Sequence, residues 1–183
     1  MRSYPNAAQG LKLLFIAEIV AIVAAVLSLV PVVGAVLSIV ALVLVLVGLY
    51  KAGADDETYK TAFIISIVNL VVGAISGFAG GAIGTILSIV STILELAVVY
   101  YVVTTTGNLA HSRGNDELSA KGKTVWTLYL VCTVISVIAS LLSLIPILGE
   151  ALAVVLGVVL VIVQLVAYIL YLIFLNKAPK ELV

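Results

Sequence analysis

The sequence predicts an all-α integral membrane protein: six hydrophobic helices arranged as three tandem helical hairpins, diverged copies of one unit. Three observations predict it. First, 64% of the 183 residues are hydrophobic and only 10% are charged. A soluble domain carries about a quarter charged residues, so this chain has too few to cover a water-facing surface, and its mean hydropathy is +1.36. Second, the apolar runs are long: Leu13 to Val30 holds one charge, and Val32 to Tyr50, Ala62 to Ala79 and Val125 to Leu148 hold none. Third, the phrase LSLVPVVG (27–34) returns as LSLIPILG (142–149), each time midway between apolar runs of helical length.

Proline lacks an amide hydrogen and glycine tolerates positive φ, so Pro31 with Gly34, and Pro146 with Gly149, read as tight turns between two helices. The middle of the chain carries its own version: GFAGGAIGTILSIV (77–90) aligns with LVPVVGAVLSIV (29–40). The predicted helices are 11–30, 33–51, 59–77, 82–104, 123–145 and 148–176. They form one membrane domain over 1–183, with hairpin repeats at 11–51, 59–104 and 123–176. The first reads as an uncleaved spanning helix and not a signal peptide. The last, at 1.5 Å per residue, is about 43 Å long and must tilt or emerge from the bilayer. Polar linkers are predicted at 52–58 and 105–122.

All nine Lys and Arg lie at the chain ends or in and beside those linkers: Arg2, Lys12, Lys51, Lys60, Arg113, Lys121, Lys123, Lys177 and Lys180. The positive-inside rule then places both termini and both linkers in the cytoplasm, with the plasma membrane the expected location. The tyrosines and the single Trp126 also fall towards the charged side, and read as an interfacial belt on that side alone.

Ionisable and amide groups inside membrane helices are costly and mark candidate sites. Glu18, Asn69, Glu95 and Gln164 are the intramembrane polar candidates. Measured along the helix from Lys12, Glu18 lies about 9 Å deep; Asn69 from Lys60 and Glu95 from Thr104 lie about 13 Å deep, and Gln164 from Asn176 about 18 Å. All four fit the charged-side half of one bundle. Such a group can bind a cation or relay a proton; alternatively each side chain hydrogen-bonds a neighbouring helix for about 1 kcal/mol.

Small residues form a second constellation: Ala17, Ala21 and Ala25 on the first helix, and Gly73, Gly77, Gly80, Gly81 and Gly84 around the second turn. At this spacing they let helices approach closely, as contacts within the bundle or as a seam between copies.

Catalytic patterns are absent, so no enzyme is expected. With one cysteine, Cys132, and one histidine, His111, no disulfide framework and no zinc site of Cys and His within one chain is expected, nor any other metal or cofactor. The zero net charge gives no field for nucleic acid. Size, six spans and the alanine stripe from Ala17 resemble the substrate-capture subunits of energy-coupling-factor vitamin transporters. That resemblance rests on helix count, and it implies long ligand-closing outer loops that the short turns here lack. The expected function is structural: a self-assembling, membrane-shaping or scaffolding protein whose partners are the lipid bilayer, further copies of itself and an unidentified membrane protein. The alternative is a small transporter or ion-channel component using its intramembrane carboxyls.

Overall fold

A computed structural model describes residues 3–142 and 149–183. Six helices carry the chain: α1 (Pro5–Val26), α2 (Pro31–Ala52), α3 (Thr58–Phe78), α4 (Gly81–Ser112), α5 (Asp116–Leu142) and α6 (Gly149–Glu181). A single 3-10 turn, Leu27–Leu29, follows α1. All six contain stretches long and apolar enough to cross a membrane. Their outward side chains would be intolerable in water: Leu29 is 91% and Phe78 94% exposed. The chain is a polytopic, all-helical membrane protein.

Several boundaries differ from the sequence reading, for identifiable reasons. Helix α1 starts at Pro5, where the fixed φ suits the first helical turn and the missing N–H costs nothing. Pro31 does the same for α2; it opens the outgoing helix, where the sequence suggested a stop to the incoming one. Gly34 therefore sits inside α2 and not in a turn. Its role there is close approach, since a Cβ would come within 3.0 Å of Ser28 Cα. Gly149 opens α6, and Pro146 lies outside the described residues. The polar stretch 105–122, expected to be a linker, is helical except at 113–115. Its Thr106, Leu109, Ala110 and Leu118 are buried against the other helices, so polar composition here marks a helix leaving the membrane, not a break in it. Asn115 ends the break by accepting the Leu118 N–H at 2.9 Å, as an N-cap does.

Each helix packs on the next in sequence, and α6 returns to α1, closing a ring. One end of that ring is tightly built. Ala7, Leu11, Leu49, Ala52, Tyr59, Val103, Val125 and Phe174 are all essentially inaccessible. Tyr59 donates to Thr106 Oγ1 at 2.7 Å, and Thr106 passes its own proton to the Val102 carbonyl at 2.7 Å. Gly10 and Gly48 let α1 and α2 meet backbone to backbone: a Cβ on Gly48 would stand 2.8 Å from the Gly10 carbonyl oxygen.

The same end gathers the polar connections. The Tyr4 N–H donates to the Leu182 carbonyl (2.8 Å), and the Asp55 carboxylate accepts from Ala7 N and Asn6 Nδ2 (both 2.8 Å). Arg113 donates to the Leu182 and Val183 carbonyls (both 2.8 Å), and Asn115 to Glu181 (2.7 Å). The acidic turn Asp55–Asp56 is thus used locally: Asp55 caps the first turn of α1, and Asp56 accepts the Thr58 N–H at 2.8 Å at the start of α3. Both chain ends and both inter-helix breaks, 53–57 and 113–115, therefore sit on one side of the bundle.

Towards the opposite end packing gives out. Beyond the middle of the helices the buried described residues reduce to Ala17, Ala24, Gly34, Ala41, Gly84, Cys132 and Leu160. The ring is closed at the charged end and opens away from it.

Candidate functional site

Where the tight end stops, the ring encloses a chamber of about 700 Å³ lined from all six helices. Its charged-side limit is set by Leu14, Val102 and Tyr171, all three of which belong to the buried core. Periodicity explains the rest of the lining. Residues three, four or seven apart share a helix face, and each helix turns one such face inwards. On α3 these are Ser66, Asn69 and Gly73; on α4, Ser91, Thr92 and Glu95. On α5 they are Tyr129, Cys132, Thr133 and Ser136; on α6, Gln164, Tyr168 and Tyr171. Glu18 comes from α1, and α2 contributes only the apolar Leu42 and Val45.

The four polar residues singled out in the sequence, Glu18, Asn69, Glu95 and Gln164, all line this chamber. Two of them are held by specific partners. Tyr168 donates to Glu18 Oε2 at 2.8 Å, reaching across 150 residues of sequence, and its hydroxyl also lies 3.2 Å from the Glu18 carbonyl. Ser91 donates to Asn69 Oδ1 at 2.6 Å. With its oxygen occupied, Asn69 keeps its NH₂ group for the chamber, whose lining it shares with Glu18 and Glu95. Among the described residues no Lys, Arg or His lines the chamber. Among the described residues no group of three His, Cys, Asp or Glu is arranged to hold a metal ion.

Three contributors were hidden in the sequence. Tyr129, Tyr168 and Tyr171 fall near the charged end and read as interfacial belt residues, yet they point inwards. Tyr129 and Tyr171 meet edge to face with centroids 5.6 Å apart. The available signal was the spacing of Gln164, Tyr168 and Tyr171, which puts all three on one face with an amide that cannot face lipid cheaply.

The small-residue constellation is divided by the structure. Ala17 is buried, Ala21 half-buried and Ala25 exposed, because the inward line runs through Leu14, Ala17 and Ala24. Gly80 and Gly81 form the α3–α4 turn, Gly81 with φ 61°. A Cβ on Gly84 would strike the Ala79 carbonyl oxygen, so Gly84 closes the same turn. Gly73 and Gly77 seat no helix among the described residues. A Cβ would find only Ser91 Oγ, at 3.9 Å, beside Gly73 and nothing within 4 Å beside Gly77.

A second cavity, of about 430 Å³, lies at the charged end between α1 and α6 beside Lys12, Asn176 and Lys180, away from the membrane carboxyls.

Fold and chamber together define a polytopic helical membrane protein with a polar site inside its bundle. Comparison with protein families, curated proteins and solved structures finds no match to the chain.

Proposed function

We propose that this protein is a small, non-enzymatic transporter or channel component that takes a solute into its central chamber, with Glu18 and Glu95 as the binding carboxyls. The observation that carries this reading is convergence. Four costly polar side chains on four separate helices meet at one cavity, whereas helix-to-helix glue would have no reason to leave an open volume between them. The volume falls within the usual range of about 300–1,000 Å³ for small-molecule sites.

In vesicles holding the reconstituted protein and an enclosed pH-sensitive dye, an imposed cation gradient should drive a proton or cation flux. The Glu18→Gln, Glu95→Gln double variant should fold normally, since glutamine keeps the volume and a hydrogen-bonding group, and should show no such flux. Normal flux in the double variant would remove the carboxyls from the mechanism.

The threefold hairpin organisation and the topology belong to the same reading: three hairpins enter from the cytoplasmic face of the plasma membrane, with both termini and both breaks on that side. The clustering of the described basic residues and of the breaks at 53–57 and 113–115 at one end supports it. Cysteines introduced at Ala54 and Asn115, in a Cys132→Ser background, should be protected from an impermeant thiol reagent in intact cells. Labelling of either from outside would invert the orientation.

A second reading, self-assembly for a structural or scaffolding role, is favoured by one observation. Among the described residues nothing lies within 4 Å of a Cβ placed on Gly77, on the same side of α3 as the chamber-lining Gly73, which leaves room at the open end of the bundle for a helix of another copy.

A further inference from the structure

We propose that the chamber's ligand is an organic cation: an alkylammonium whose positive centre lies between Glu18 and Glu95 and whose apolar body packs on Tyr129, Tyr168 and Tyr171. The inference rests on the chamber reading above and adds the chemical class of what enters.

Three features select that class. Charge comes first. Among the described residues the lining holds two carboxyls and no basic residue, and Glu18 takes its hydrogen bond from a neutral donor, Tyr168. When ionised, either carboxylate takes its countercharge from outside the described residues. Size comes second. About 700 Å³ is far more than a bare ion and its few waters require, a water occupying about 30 Å³ in the liquid. Wall chemistry comes third. A hard metal ion wants six or more oxygens around it, but here aliphatic side chains and three tyrosine rings make up much of the wall. Aromatic faces attract alkylammonium centres, and the aliphatic wall suits the carbon attached to them. The same chemistry is carried by a free amine and by the choline headgroup of a lipid.

The chain's single cysteine, Cys132, lies in the chamber wall and is a natural reporter. The rates of its modification by three small methanethiosulfonates are compared on the full-length protein in detergent: the cationic trimethylammonioethyl, the neutral methyl and the anionic sulfonatoethyl reagents. Ser136→Cys in a Cys132→Ser background supplies a second reporter in the same wall. Because any change in thiolate reactivity affects all three reagents, the ratios of rates report the charge preference of the chamber alone.

A cleft lined by one sign of charge enriches the opposite sign by about 10- to 1,000-fold. The cationic-to-anionic ratio, corrected for intrinsic reactivity, should therefore exceed tenfold and collapse towards unity in the Glu18→Gln, Glu95→Gln variant. Benzyltrimethylammonium should protect both reporters from the neutral reagent, saturably, and lose that protection in the same variant. Tyr168→Phe, which keeps both carboxyls, should retain the charge preference; this guards against a folding artefact in the double variant. Protection by phosphatidylcholine nanodiscs, absent in phosphatidylglycerol ones, would assign the cation to a lipid headgroup. Protection only on adding benzyltrimethylammonium would assign it to a free amine.

Equal ratios in parent and double variant, with both reporters reached, would overturn the organic-cation assignment and leave the chamber reading standing. Failure of every reagent to reach either reporter in the folded protein would overturn the chamber reading, and this inference with it.

Discussion

Gly10→Leu should leave almost no folded protein, and of all single substitutions on the inner faces it should be among the most damaging. A Cβ alone at this position would collide with the Gly48 carbonyl oxygen and would stand 2.7 Å from Ala52 Cβ and 2.9 Å from Ala52 N. These are atoms of a facing helix backbone, and they can yield only if α1 and α2 move apart. Overpacking costs typically about 1–3 kcal/mol, and occasionally more; an obstacle made of backbone belongs at or above the top of that range. Separation of α1 from α2 would also disturb Leu11, Leu14, Leu49 and Ala52, all buried in the same core. The loss is net of the roughly 1 kcal/mol by which replacing a mid-helix glycine favours the helix. Thermal unfolding in detergent, followed by helical circular dichroism, measures it. A melting profile like the parent's would show that the two helices do not meet at Gly10.

Gly73→Leu with Gly77→Leu should do the reverse: spare the protomer and dismantle its assembly. Within one chain the added side chains meet nothing closer than Ser91 Oγ at 3.9 Å from the Gly73 Cβ position, so helix content and melting should stay close to the parent's. If copies associate through this face, two leucines hold their backbones apart, and the particle mass measured by light scattering should fall from that of an oligomer to that of one chain with its detergent. An unchanged particle mass would remove this face from self-association. A collapse of folding would show that the face is occupied within the protomer when the protein is in a membrane. Since Gly73 also borders the chamber, the variant should slow modification of Cys132 by bulky thiol reagents more than by small ones.

The contrast between these glycines shows what a sequence conceals. Gly10 has no other glycine in α1 and Gly48 lies far along α2 from Gly34, so neither forms a stripe, yet the two bring α1 and α2 together backbone to backbone. Gly73, Gly77 and Gly81 make a regular stripe and seat no helix among the described residues. Spacing reports which residues share a face. It does not report whether another helix arrives there.

Composition, run length and the placement of nine basic residues determined, from sequence alone, a six-helix membrane protein with its basic residues read at one end, because burying a charge or an open backbone group in hydrocarbon is too costly for alternatives to compete. The same cost made Glu18, Asn69, Glu95 and Gln164 visible one by one. Only the tertiary structure decided that they share a chamber, since residues as far apart as Glu18 and Tyr168 are brought together by the closing of α6 onto α1. It also decided that Tyr129, Tyr168 and Tyr171 belong to that chamber and not to an interfacial belt, because the depth of a side chain is written in its position along a helix while its direction depends on which neighbours the helix meets. Helix boundaries were lost for a related reason: Thr105 to Ser112 are polar but lie in α4, held there by packing of Thr106, Leu109 and Ala110 that no local propensity records.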